Sequence, residues 1–263
     1  MFSISSVKNG DVLFLAKVFP KRSYAEEFLQ GKLYANRLSK FRCIEDDFVR
    51  GDKDEGGRGD KYEGGVMINR KGIVMTIQSQ DPETGEEEEV TLEESDFGSS
   101  IKMSLPYFDQ LNLFCMRGVH ISSSDLTTED ITTVERKVSF SKKYPNLGDH
   151  VVVITDALKF IRRVVATVNQ KRYQMEYDFV NYYDPDVGTS LLPETTRTLF
   201  AKQNKYAWQE EFRFVFNTKT EGDEAVILDI GRIDDIAYLE DTSIMINPTI
   251  QIPTSGGNPA ASG

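Results

Sequence analysis

Residues Gln209 to Asn217 read QEEFRFVFN, and this alternation constrains the fold more than any other stretch of the chain. Phe212, Phe214 and Phe216 fall on one face of a strand, because side chains two residues apart point the same way. Three phenylalanines in phase need a covering layer, so the strand belongs to a sheet packed on one side. The other face carries Glu211, Arg213 and Val215, with Gln209 in phase, at a rise of roughly 6.6–6.8 Å per two residues. Such a face is either a solvated strand surface or a site. Tyr206 and Trp208 flank it, offering aromatic walls against which a planar ligand can stack.

Other elements follow from the same patterning. Val12 to Phe19 (VLFLAKVF) is an apolar strand ended by Pro20, and Lys21 to Gln30 is an amphipathic helix with Tyr24, Ala25, Phe28 and Leu29 on one face. Gly31 stops that helix, and Lys32 to Leu38 is a second strand. Val66 to Asn69, Gly72 to Ser79 and Glu89 to Leu92 are strand-like, and the DPETG turn makes the last two an acidic hairpin. Leu111 to Val119 and His150 to Thr155 are further strands. Asp156 caps a helix from Ala157 to Asn169, with Arg162 and Arg163 on its solvated side. Asp125 to Arg136 reads as a polar helix or turn, Tyr173 to Tyr183 as an alternating strand, and Glu194 to Lys202 as a short helix. Ala225 to Ile230 is a strand antiparallel to Gln209–Asn217 through the link 218–224. Hairpins outnumber helical crossovers, which makes the fold class α+β, with a mixed, largely antiparallel sheet and a few packed helices.

The densest polar stretch is Gly31 to Gly65. Arg37 and Arg42 bracket Phe41, and Glu45, Asp46 and Asp47 follow within one or two helical turns, so cation and carboxylate can meet locally. The octapeptide RGDKDEGG at Arg50 to Gly57 recurs as RGDKYEGG at Arg58 to Gly65, with only Asp54 and Tyr62 differing. Glycine-rich polar loops accept such a duplication at small thermodynamic cost. The chain therefore reads as one domain over 1–246, with a glycine and acid-rich loop at 50–65, an acidic hairpin at 72–94 and a flexible tail at 247–263.

Composition excludes several classes. A formal charge of −11 and a pI near 4.8 argue against nucleic-acid binding by bulk charge, which draws on clustered lysine and arginine. The two cysteines, Cys43 and Cys115, stand far apart, and Met1 to Asp11 shows no signal-peptide pattern, which suggests a reduced, cytoplasmic setting. No apolar run approaches the roughly 20 residues that span a bilayer. There is no G-x-S-x-G elbow, and His120 and His150 are the only histidines, which argues against a serine hydrolase. The carboxylates of 45–63 do not match the twelve-residue calcium loop, and no Cys/His spacing suggests zinc, so no metal is expected. His120 leads into Ser122 and Ser124, whose hydroxyls either bond a ligand or satisfy their own turn.

With these residues in view, the chain resembles a family of uncharacterised bacterial and phage proteins. The shared pattern is Phe41-Arg42, Glu45-Asp46, Arg50 to Gly56, and Lys205-Tyr206 through Gln209 and Glu211 to Arg213. A second resemblance is to mono-ADP-ribosyltransferase folds, whose sites take an early Arg or His, a middle Ser/Thr or Tyr and a late Q-x-E or E-x-E. That likeness implies an ADP-ribosyltransferase-like fold using NAD. It implies a catalytic set of Arg42, Gln209 and Glu211, and a nucleotide-binding set of Arg37, Ser122, Ser124, Tyr206, Trp208 and Arg213. Arginine holds the dinucleotide phosphates, and Glu211 stabilises charge developing on the ribose. Arg42 and Glu211 are then expected on neighbouring strands, sharing a pocket walled by Tyr206 or Trp208. Two functions follow. One is an NAD-using transferase or glycohydrolase acting in conflict between bacteria and phage; the other is a catalytically silent defence or anti-defence protein that binds a protein partner or a nucleotide signal.

Overall fold

The computed structural model describes residues 11–41, 65–68, 74–80, 85, 87–97, 101–127, 131–184 and 196–249. Arg42 and most of the duplicated octapeptides and of the expected tail lie outside them. The fold is α+β, as the patterning implies.

In chain order the strands are β1 (Val12–Phe19), β2 (Lys32–Arg37), β3 (Gly65–Ile68), β4 (Val74–Gln80), β5 (Glu87–Glu93), β6 (Ile101–Ser104) and β7 (Asn112–Ile121). They continue as β8 (His150–Ile154), β9 (Gln174–Phe179), β10 (Asn181–Tyr183), β11 (Ala201–Gln203), β12 (Glu211–Asn217), β13 (Val226–Asp229) and β14 (Ala237–Asp241). The α-helices are α1 (Arg22–Leu29), α2 (Ser123–Thr127), α3 (Ile131–Val138) and α4 (Ala157–Gln170). None of these helices is long and apolar enough to cross a membrane.

Eight strands form one antiparallel sheet, and β7 is its trunk. One edge of β7 carries β12, from Glu211↔Arg117 to Phe216↔Asn112, with β9 beyond it. The other edge is shared. β1 pairs with residues 117–121 and leads on to β8 and β14, whereas β2 pairs with Asn112 and Leu113 and leads on to β13. The patterning puts the β13 segment beside β12; it pairs instead with β2, because Thr218 to Glu224 carries the chain across the foot of β7.

The alternation sorts the two faces. Phe212, Phe214 and Phe216 join Leu13, Leu15, Phe114 and Met116 under α1 and α4, which bring Phe28, Phe160, Ile161 and Val164. α4 starts where expected, since the Asp156 carboxylate accepts from the Lys159 amide at 2.8 Å. On the opposite face Ala16, Val151 and Val153 meet Phe140, Tyr144 and Met245, and Leu113 and Val215 meet Leu38, Phe108, Leu199 and Phe200.

Where β1 and β2 part, residues 114–116 of β7 lose their partner on that edge. Lys17 closes the gap, reaching across to the Cys115 carbonyl at 2.6 Å, with its ammonium 5.0 Å from the Phe114 ring centre. A carbonyl left unanswered there costs roughly 1–3 kcal/mol. Gly31 sets the approach to β2. Its φ is +90°, and a Cβ at that position comes within 2.0 Å of the Gly231 carbonyl oxygen. Gly222 has a similar φ of +92° and open space around it. Gly222→Ala should therefore cost only the left-handed backbone strain, about 1–2 kcal/mol, and Gly31→Ala should cost at least about 2 kcal/mol more through the clash. Equal losses in denaturant melting would show that the two backbones do not abut.

Candidate functional site

A short 3-10 turn, Asn204–Gln209, lies against the second face of the sheet before the chain enters β12. Entry is made through Glu210, held in the left-handed region at φ 43° and ψ 52°. Gln209 is therefore not a strand residue in phase with Glu211, as alternation implied. The left-handed residue between them nevertheless keeps both side chains on one side of the sheet, where they meet a buried lysine.

That lysine is Lys202, at the centre of β11, 1% exposed. The sequence reading placed it at the end of a helix; the helix is a 3-10 turn over Thr196–Phe200, and β11 follows it. Lys202 Nζ donates to Gln209 Oε1 at 2.8 Å and to Glu211 Oε1 at 3.3 Å. Glu211 Oε2 accepts from Arg213 Nη2 at 2.6 Å, and Arg213 Nη1 donates to the Leu199 carbonyl at 2.5 Å. Arg213 is fully buried, and the Glu211 side chain is 13% exposed. The face is thus closed and is not a solvated strand surface.

The neighbouring aromatics serve the same cluster. The Tyr206 ring lies under Lys202 at 4.9 Å and Lys205 at 4.7 Å. Trp208 packs into the Ala16–Phe140 cluster, edge-on to Tyr144 with ring centres 5.4 Å apart. The Tyr144 hydroxyl donates to the Gln209 carbonyl, and the Tyr182 hydroxyl accepts from the Glu211 amide at 3.0 Å, where β9 has turned away. Burial pushes both phenols up.

The electrostatics of Glu211 follow from this packing. Burial alone raises a carboxyl pKa, but the Lys202 ammonium and the Arg213 guanidinium override it and hold Glu211 at about 2. The carboxylate is ionised at neutral pH, between two cations.

The remaining expected residues lie elsewhere. Arg37 is buried at the foot of β7, donating to Gln110 O, to Asn112 Oδ1 at 3.0 Å, and to Thr220 O and Oγ1 at 2.7 and 2.9 Å. Arg37 pairs with Asn112 and Glu211 with Arg117, so about 17 Å of strand separates them. Ser122 and Ser124 bond one another at 2.7 Å, and Ser122 donates twice to Asp125 Oδ2, through Oγ and its amide, both at 2.7 Å. They therefore form the self-satisfied turn at the start of α2. Asp125 also takes Lys137 Nζ at 2.6 Å, which lowers its pKa to about 2. The expected contact between Arg42 and Glu211 lies outside the described residues.

Sequence reasoning gives no role to Arg117, which sits opposite Glu211. Its guanidinium donates to the Lys137, Val138 and Ser139 carbonyls, closing the C-terminus of α3, and to Glu210 Oε2 at 2.5 and 2.9 Å. The only sequence signal was an arginine inside an otherwise apolar strand.

A cavity of about 310 Å³ lies just beyond the start of β12. Gly118, Val119 and His120 of β7 form one side, Phe179, Val180 and Tyr182 the other, and Glu210 and Glu211 the end. Neither Tyr206 nor Trp208 lines it. Glycine at 118 is required by the packing, since a Cβ there falls 2.5 Å from Phe212 Cβ. Among the described residues no three metal-ligating side chains gather. No protein-family model, curated protein or solved structure matches the chain.

The pH dependence of Glu211 is testable. Its folded pKa is depressed, so its contribution is full above the unfolded value near 4.5 and is lost as pH falls towards 2. Glu211→Gln leaves Lys202 and Arg213 as buried cations without their anion, and should destabilise the protein at pH 7 by roughly 3–5 kcal/mol. The gap between wild type and variant should narrow by about 2 kcal/mol between pH 6 and pH 3. A gap independent of pH would show that the fold does not depress the Glu211 pKa, and a gap that widens as pH falls would show that burial keeps the carboxyl protonated.

Proposed function

We propose that this chain is a catalytically silent binding protein, which holds a partner in the cavity beyond β12 and performs no transfer from NAD. The observation that carries this reading is the state of Glu211. Each of its oxygens is held by a buried cation, so the carboxylate belongs to the framework that joins β11, the 3-10 turn and β12.

A transferase needs that carboxylate at the ribose, an arginine at the phosphates and a hydroxyl at the nicotinamide. Of the two expected arginines, Arg42 lies outside the described residues and Arg37 is engaged by four protein acceptors at the other end of β7, while Ser122 and Ser124 bond within their own turn. The cavity of about 310 Å³ is at the low end of the range of roughly 300–1,000 Å³ for small-molecule sites, and its eight lining residues include no lysine or arginine. The exposed Glu210 carboxylate at its end disfavours phosphates, and so favours a protein partner over a nucleotide signal. In the setting that the bacterial and phage resemblance suggests, the protein acts by contact, as a defence or anti-defence component.

The NAD-dependent reading, ADP-ribosyltransferase or NAD glycohydrolase, keeps one observation in its favour: Glu211 edges the cavity and is ionised. Prolonged incubation of the purified chain with NAD decides between the two. The binding reading expects no nicotinamide above the buffer control. Nicotinamide release that disappears in a folded Glu211→Gln variant overturns it.

A further inference from the structure

β12 begins at Glu211, opposite Arg117, but β7 runs on through Gly118 to Ile121. Successive residues of a strand turn their amide groups to opposite edges. Gly118 faces the β12 side, since its N–H donates to the Glu210 carbonyl at 2.8 Å, so His120 faces that side too. Val119 and Ile121 face β1, opposite Phe14 and Val12. In a continuing ladder the Glu210 N–H returns a bond to Gly118; here it turns away to the Ala207 carbonyl at 3.2 Å. The Gly118 carbonyl and the N–H and C=O of His120 therefore open on the cavity.

The opposite side is also strand-derived. Val180 N donates to the Glu211 carbonyl at 2.9 Å, and the chain then leaves the sheet towards β10. β7 and β9 flank β12, so the gap beyond its start is one strand wide, with an exposed ladder edge along β7. At the end beside β12 it presents the Glu210 carboxylate. Glu210 is 44% exposed there, while the three cations bonded to Glu210 and Glu211, Arg117, Lys202 and Arg213, are 3% exposed or less and stand behind the carboxylates, out of reach of the cavity.

We propose that this slot binds the amino-terminal end of an extended peptide segment from a partner protein. The peptide lies in the line of β12, bonds to Gly118 and His120 as an added strand, and sets its terminal ammonium against Glu210. Strand addition supplies the backbone bonds, and the exposed Glu210 carboxylate chooses the end. A carboxyl terminus or a phosphate in the same place meets like charge. The β7 edge from Gly118 to Ile121 is about 13 Å long, room for three or four peptide residues. This proposal rests on the binding function inferred above and names its occupant.

The test uses the full chain, labelled for amide NMR, with a synthetic pentapeptide of alternating valine and threonine. One sample of the peptide has a free amino terminus, and the other is acetylated. The free peptide should shift the Gly118, His120 and Val180 signals saturably, and the acetylated one should bind at least tenfold more weakly. Glu210→Gln should weaken the free peptide to the acetylated level. Equal binding of the two peptides, shifts confined to other residues, or no shift at millimolar peptide overturns the proposal. If a nucleoside shifts those signals and no peptide does, the peptide inference falls while the cavity remains a binding site. Consumption of NAD removes the underlying reading instead.

Discussion

Every amide group buried in this fold has to find a partner, and the branching of β7 makes that hard to achieve with backbone alone. One strand serves β12 on one edge and both β1 and β2 on the other. Side chains fill the places where the ladders stop. Lys17 answers Cys115, Arg37 answers Gln110 and Thr220, and Asn112 answers Ala35 at 3.0 Å. At the other end Tyr182 receives the Glu211 amide, Tyr144 donates to Gln209, and Arg117 closes α3. Six polar residues thus complete a sheet that its strands leave unfinished.

The Lys202–Glu211–Arg213 cluster is the costliest part of this arrangement. Two cations and one anion lie almost wholly out of water, and desolvation of each charge opposes folding by several kcal/mol. The opposing terms are hydrogen bonds of 2.5 to 3.3 Å to Gln209, Leu199 and one another, with the Tyr206 ring beneath the ammonium. Together they fix the 3-10 turn against β11 and β12, and so fix the left-handed step at Glu210. That step ends the β12–β7 ladder and leaves the cavity. The cluster and the cavity are therefore one construction, in which the framework charges face inward and backbone edges and Glu210 are left along the cavity.

Much of the fold was legible in the sequence. The phenylalanine alternation placed β12 correctly with one face in the core, and the apolar runs located β1, β8 and α4 to within a few residues. Partnership was not legible: β13 alternates well enough to pair with any strand, and only the long reach of 218–224 decides for β2. The site was half legible. Gln209, Glu211 and Arg213 do come together, but a left-handed glutamate carries no signature that separates it from a strand residue. Lys202 looked like a helix-end lysine because local pattern cannot report burial. Arg37 shows the same blindness, since an arginine that finishes a sheet and one that clamps a phosphate present the same donors to a reader of sequence.

A double-mutant cycle on Lys202 and Glu211 tests the central claim, that these charges form a structural unit. Stability is measured by denaturant unfolding at pH 7 for wild type, Lys202→Met, Glu211→Gln and the double variant. The account predicts strong coupling: each single change strands a buried charge, and the double variant should be more stable than the sum of the two losses implies by about 1–3 kcal/mol. Losses that add to within about 0.5 kcal/mol would contradict it, leaving Glu211 available for another role.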